Sequence, residues 1–102
     1  MTVQFSNTEG HATLTLCGRL DTSVSSDVKA QIDQHLDHAG TISHLTLDAN
    51  KLDYISSAGL RVLVALVKSE SSKPKLINVN PEINEIFEDV GIDTLMDITL
   101  KG

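Results

Sequence analysis

The chain is short of basic residues, and that sets its first limits. Lys and Arg number 8 against 14 Asp and Glu, for a formal net charge of −6. Nucleic acids and anionic membrane surfaces are bound mainly through basic patches, so neither is an expected partner. The basic residues that do occur form no block. Aromatic residues make up only 3%, with no Trp, so no base-stacking platform is in view. The single cysteine, Cys17, has no partner for an internal disulfide, and the expected location is the reducing cytoplasm. No apolar run approaches the ~20 residues needed to cross a bilayer, which argues against direct membrane insertion. The first residues, Met1-Thr2-Val3-Gln4, lack the basic-then-apolar pattern of a signal peptide. There is also no internal repeat, low-complexity segment or linker.

What remains is a chain of 102 residues, 40% apolar, that suits one small domain over 1–102. It has room for one core but not for a deep catalytic cleft. Protein is the partner class left most open.

Along the chain, Thr2 to Ser6 reads as a short strand and Asn7-Thr8-Glu9-Gly10 as a turn. His11 to Cys17 alternates, with Ala12, Leu14 and Leu16 on one side, as in a hairpin with one buried face. Gly18-Arg19-Leu20-Asp21 reads as a loop, and Thr22 or Ser23 as the cap of the helix that follows. In that helix Val24, Val28, Ile32 and Leu36 recur every four residues, opposite a charged face, and Gly40 ends it. Ile42 to Asp48 is the next strand and Ala49 to Ile55 a loop. From about Ser57 to Ser69 a stripe of Leu60, Leu63, Val64 and Val67, widened by Val62 and Leu66, predicts the most buried helix, broken by Ser71-Ser72-Lys73-Pro74. Lys75 to Val79 is a short strand. Asn80-Pro81 starts a third helix with a capping side chain and a first-turn proline, Ile83, Ile86, Phe87 and Val90 follow at helical spacing, and Gly91 stops it. Ile92 to Leu100 completes a β-β-α-β-α-β-α-(β) order. The expected fold is an α/β sandwich, a mixed sheet with three helices packed against it.

The most informative stretch is Tyr54-Ile55-Ser56-Ser57-Ala58-Gly59-Leu60, where a polar loop turns into the buried helix. Such a helix start offers free N–H groups and a positive dipole end, which suit a phosphate. Three readings compete for the serines. Ser56 or Ser57 caps the helix, a role compatible with any other. Ser57 and Gly59 could be the second half of a G-x-S-x-G nucleophile elbow. Ile55 stands at the first glycine, however, and all four histidines (His11, His35, His38, His44) precede the serine, where that fold needs its histidine after it. In the third reading a partner phosphorylates one serine, adding about −1.5 to −2 charges and three acceptor oxygens.

The chain resembles a stand-alone STAS domain of the anti-sigma factor antagonist (anti-anti-sigma factor) type, over essentially its whole length. The resemblance rests on the order and spacing of Gly18-Arg19-Leu20-Asp21, Leu45-Thr46-Leu47-Asp48, Tyr54-Ile55-Ser56-Ser57-Ala58-Gly59-Leu60 and Asn80-Pro81. It implies a STAS-like fold and phosphorylation at Ser57, since family motifs commonly read Asp-Ser-(Ser/Thr/Ala)-Gly-Leu with the serine after the Asp modified. The usual Asp falls on Ser56, a departure that makes Ser56 a rival acceptor. The implied docking residues are Asp21 in the loop before the first helix, with Thr22, and Ser56, Ser57, Ala58, Gly59, Leu60 and Arg61 at the second. The implied mechanism is partner switching. The unmodified antagonist binds a serine kinase that doubles as an anti-sigma factor, phosphorylation with ATP releases it, and a metal-dependent serine phosphatase resets it. The antagonist performs no chemistry and needs no cofactor. The alternative is a STAS subunit docked on a lipid-transport ABC complex or another signalling protein without phosphorylation, and the remote one is a serine hydrolase.

Other candidates carry bland readings. Asp48 ends a strand as a receiver-domain aspartate does, but Leu16-Cys17-Gly18 supplies no acidic pair, so a solvated strand end is expected. His35 and His38 lie three apart on the first helix without a third ligand, which predicts surface residues and not a metal site. Cys17 reads as a packing residue, Arg61 as either a partner contact or a solvated cation, and Glu82, Glu85, Glu88 and Asp89 as the wet face of the third helix.

Overall fold

The fold is described here from a computed structural model, over residues 2–40, 42–69 and 73–101. Strands β1 (Thr2–Thr8) and β2 (His11–Leu20) form an antiparallel hairpin. Its two-residue turn, Glu9-Gly10, has both φ angles positive (52° and 87°), the geometry that matches the twist of the flanking strands. The Asn7 side chain accepts the Gly10 N–H at 3.2 Å and fixes the turn. The strand therefore runs two residues further than Ser6, the end expected from composition.

After β2 the chain repeats one step three times. Helix α1 (Ser25–Ala39) leads to β3 (His44–Ile55), α2 (Ser57–Ser69) to β4 (Lys75–Val79), and α3 (Pro81–Val90), with a short 3₁₀ turn at Ile92–Thr94, to β5 (Asp97–Leu100). The five-stranded sheet has the order β1-β2-β3-β4-β5, antiparallel at β1 and parallel elsewhere. Each crossover moves one strand in the same direction. Right-handed crossovers of that kind put all three helices on one face.

Burial follows that geometry. Ala12, Leu14 and Leu16 of β2, Leu45, Leu47 and Ala49 of β3, and Leu76 and Val79 of β4 are buried beneath the helices. Leu60, Val62, Leu63, Leu66 and Val67 of α2, Val28 and Ile32 of α1, and Ile83 and Phe87 of α3 close the core from the other side. Helix α2 contributes most of these, as its wide stripe predicts. Each of the Val, Leu, Ile and Phe side chains contributes roughly 1.5–3 kcal/mol by leaving water. The opposite sheet face carries Thr13, Thr15, Cys17, Thr46 and Asp48, all half-buried.

Three segments differ from the sequence expectation. Gly18, Arg19 and Leu20 are not loop but the end of β2, paired with Leu52, Tyr54 and Ile55. Ala49 to Ile55 is likewise not loop but the second half of β3, and that strand opens at His44, not Ile42. The register between β2 and β3 shifts at Thr15/Cys17 and at Gly18/Arg19. Past these irregularities the buried positions of β3 fall at Ala49, Leu52 and Ile55, three apart, so the two-residue alternation that reveals a strand is lost. Neither Thr22 nor Ser23 caps α1: Val24 stands at the N-cap with no side-chain bond. The final segment divides into the 3₁₀ turn and a shorter β5. Of the helix break at Ser71-Ser72-Lys73-Pro74, Ser71 and Ser72 lie outside the described residues, and Lys73 and Pro74 are non-helical. Asn80 does cap α3, accepting the Glu82 N–H at 2.8 Å, and Gly91 ends that helix in the left-handed region.

Candidate functional site

Strands β2 and β3 end side by side, with Leu20 opposite Ile55. The residues that follow each end are therefore neighbours: Asp21 and Thr22 on one side, Ser56 and Ser57 on the other. A backbone bond from Ser56 N–H to the Leu20 carbonyl, 2.9 Å, ties the two exits together.

At the start of α2 the two serines separate in role. The Ser56 hydroxyl oxygen accepts the Gly59 N–H at 3.2 Å, and its carbonyl accepts the Leu60 N–H at 2.9 Å. Ser56 is thus the helix cap, and its side chain is half-buried. Ser57 is the first helical residue and is exposed. Replacing the cap oxygen costs about 1 kcal/mol. Ser56→Ala should therefore lower the melting temperature by roughly 4–8 °C for a domain of this size, read by thermal denaturation. An unchanged melting curve would remove the capping role.

Gly59 is buried against the same junction. A Cβ placed there would lie 2.7 Å from both the carbonyl oxygen and the Cγ of Leu20, and 3.0 Å from Ile55 Cγ1. This glycine is required for space, because its backbone is ordinary helix.

In the β2 to α1 loop the Asp21 carboxylate accepts the Ser23 hydroxyl at 2.7 Å and the Ser23 N–H at 3.1 Å. The Ser23 hydroxyl holds the Asp21 carboxyl below its ordinary value; desolvation opposes this, and the N–H groups of Val24 and Ser23 and the Arg19 charge reinforce it. The depressed value means that the turn is held most firmly above the ordinary carboxylate range and loosens as pH falls through the lowered one. Thr22 is exposed beside it, and its carbonyl accepts the Ser25 hydroxyl at 3.1 Å.

Beyond Ser57, α2 and the end of α3 border an open groove of about 460 Å³. Leu60, Val64, Ala65 and Val90 supply an apolar floor, and Arg61 and Lys68 stand at its rim with Ser57. Val90 is 56% exposed, high for an aliphatic side chain. The Val90 expected on the stripe of α3 thus faces outward into this groove. Ala58, Gly59 and Leu60 lie in the first turn, half-buried or buried, so of the expected docking residues Thr22, Ser57 and Arg61 are the exposed ones.

One feature was not singled out by sequence reasoning, and one expectation is corrected. The Arg19 guanidinium lies 4.3 Å from the centre of the Tyr54 ring, its register partner across β2 and β3, and so flanks the serine turn. Asp48 is not a solvated strand end. It sits within β3, half-buried, and accepts the Asn50 N–H at 2.9 Å and the Asn78 amide at 3.1 Å. Neither pair is visible without the strand register. His35 is partly buried, stacked on Phe5 at 5.1 Å, and among the described residues no group of three potential ligands gathers around it, His38 or any other centre.

A five-stranded mixed sheet of this order backed by three helices is the fold of the STAS class of α/β domains. The chain belongs to that family: the model described as "Mlab, STAS domain" matches residues 3–99. Solved structures agree in fold. An anti-sigma factor antagonist from Mycobacterium paratuberculosis is 16% identical, with 96% of this chain and 84% of that one covered and a TM-score of 0.82. The Bacillus cell fate determinant SpoIIAA in its phosphorylated form is 18% identical over 95% of this chain and 90% of that one, with a TM-score of 0.68. Its unphosphorylated form is 18% identical over 92% and 97%, with a TM-score of 0.64. The chain thus shares the fold of anti-sigma factor antagonists. A search of curated proteins finds no match to the sequence.

Proposed function

We propose that this chain is an anti-sigma factor antagonist. It docks through the serine turn on a kinase-type anti-sigma factor and is released when Ser57 is phosphorylated. The observation that carries this reading is the division of labour between the serines. Ser56 is spent on the cap, and Ser57 stands exposed at the mouth of an apolar groove. A hydroxyl in that place is reachable by a kinase and lies inside the area that a docked partner would cover.

The switch follows from charge. A phosphate on Ser57 sits at the positive end of α2 and one turn from Arg61, so the free protein tolerates it. In the complex the same dianion enters a partly desolvated contact, where burial without a matching cation is costly. It also draws Arg61 away from any partner carboxylate. A loss of about 2.7 kcal/mol is a hundredfold in affinity, enough to separate bound from released states.

The reading makes the protein a substrate and a docking domain and not an enzyme, a single STAS domain working in the cytoplasm. A metal-dependent serine phosphatase would reverse the modification, and neither nucleic acid nor a cofactor is involved. Among the described residues no helix is long and apolar enough to cross a membrane. The test is incubation with a kinase-type anti-sigma factor and ATP, with the modified residue mapped by mass spectrometry. Modification is expected at Ser57 and is expected to vanish in Ser57→Ala. Equal modification of that variant would overturn the assignment and pass it to Ser56.

A second reading keeps the docking surface and drops the phosphate: a STAS subunit on a lipid-transport ABC complex. The observation favouring it is that Ser56, a capping hydroxyl, replaces the carboxylate that usually precedes the acceptor serine. Neighbouring genes for a kinase or phosphatase support the first reading, and permease genes the second.

A further inference from the structure

The opposite end of β3 carries a second cluster. His11 and His44 are register partners at the starts of β2 and β3, and their rings stack with centroids 4.7 Å apart and an interplanar angle of 23°. Beside them Lys73, two residues before β4, and Lys75, its first residue, complete an open pocket of about 260 Å³ floored by Leu45 and Thr46. Lys75 is the register partner of Thr46, two residues along β3 from His44 and on the same side of that strand, which brings its strand position near the histidine pair. In a chain of net charge −6, two of the 8 Lys and Arg and two of the 4 His meet at one pocket.

The lysines decide what such a pocket can hold. Two imidazoles alone would be a weak ligand pair for a transition metal. Two ammonium groups at the same pocket oppose a cation. Asp97 on β5 pairs with Lys73 at 3.4 Å and is the register partner of Lys75, but among the described residues Lys75 itself forms no ion pair. Lysine offers only donors, and a neutral imidazole offers one N–H, so the lining is rich in donors and poor in acceptors. That is the complement of a tetrahedral oxyanion. The volume is several times the ~30 Å³ that a water occupies in the liquid, so there is space for a phosphate and a small ester group.

We propose that this pocket is a binding site for a small phosphate-bearing anion, free phosphate or a soluble phosphomonoester, held by Lys75, His11 and His44. It lies at the other end of β3 from Ser57, so occupancy does not compete with docking at the serine turn, and the site stands or falls independently of the switch.

The experiment is an amide NMR titration with inorganic phosphate and, separately, with glycerol 3-phosphate, at constant ionic strength against chloride. Saturable shifts are expected at residues 11, 44, 46 and 75. Lys75→Ala and His44→Ala, both on exposed side chains, should each weaken binding at least tenfold with an unchanged spectrum elsewhere, and Lys68→Ala, in the groove of α2, should leave it unaltered. Non-saturating shifts, shifts spread over all lysines, or full affinity in Lys75→Ala would overturn the site. Flotation with vesicles of phosphatidylcholine and phosphatidate provides the last arm. Binding to those vesicles without any response to the soluble anions would overturn a soluble ligand in favour of a lipid headgroup.

Discussion

Gly59→Ala is expected to destabilise the fold by about 3 kcal/mol and to lower the melting temperature by roughly 15 °C, although alanine is the better helix former. Two effects oppose each other. In an exposed helix the exchange would gain up to ~1 kcal/mol of propensity. Here the new methyl would sit 2.7 Å from the Leu20 carbonyl oxygen, which is the oxygen that accepts the Ser56 N–H. It would press at the same distance on Leu20 Cγ and at 3.0 Å on Ile55 Cγ1, and both of those side chains are buried. Nothing at this junction can yield cheaply, because Leu20 and Ile55 are also ladder partners. Overpacking a closed site of this kind costs about 1–3 kcal/mol and occasionally more, so the clash outweighs the propensity. The measurement is chemical and thermal denaturation beside the parent. A melting point within a few degrees of the parent would show that α2 is not seated tightly on the strand exits.

The same junction shows what could be read from the sequence. The motif Ser56-Ser57-Ala58-Gly59-Leu60 marked the helix start correctly, because a cap, a small residue and an apolar stripe are local signals. The alternation of Ala12, Leu14 and Leu16 and the Asn80-Pro81 start were legible for the same reason. The strand that delivers the motif was not. Leu52 and Ile55 lie three apart, so the second half of β3 has no two-residue period, and the same irregularity hid the end of β2. The choice between Ser56 and Ser57 as the cap was also open, since either hydroxyl could reach a first-turn N–H. It was decided by Leu20, whose carbonyl holds the Ser56 backbone in place from thirty-six residues away. Arg19 over Tyr54 and His11 beside His44 are pairings of the same long-range kind. Local chemistry identified the turn, while long-range register decided what surrounds it.

Ser57→Glu should move stability and affinity in opposite directions, which makes it the sharper probe of the proposed switch. In the free protein a carboxylate at the first position of α2 meets the positive end of the helix, an interaction of about 0.3–1 kcal/mol. It also stands four residues before Arg61, an ion-pair spacing worth ~0.2–0.5 kcal/mol. Ser57 is exposed, so no packing is lost. The variant should therefore melt at or slightly above the parent temperature. Its affinity for the kinase-type partner, measured by calorimetry, should fall about a hundredfold, equivalent to ~2.7 kcal/mol. The loss has two sources: a charge forced into the contact at the groove mouth, and an Arg61 already engaged within its own helix. Arg61→Ala separates them, since it removes the second source and leaves the first. Ser57→Ala supplies the neutral reference and should bind within a fewfold of the parent. A Ser57→Glu protein that binds as tightly as the parent would sink the switch model, whereas one that neither binds nor keeps its melting point would report a folding defect and leave the neutral variant as the test of docking.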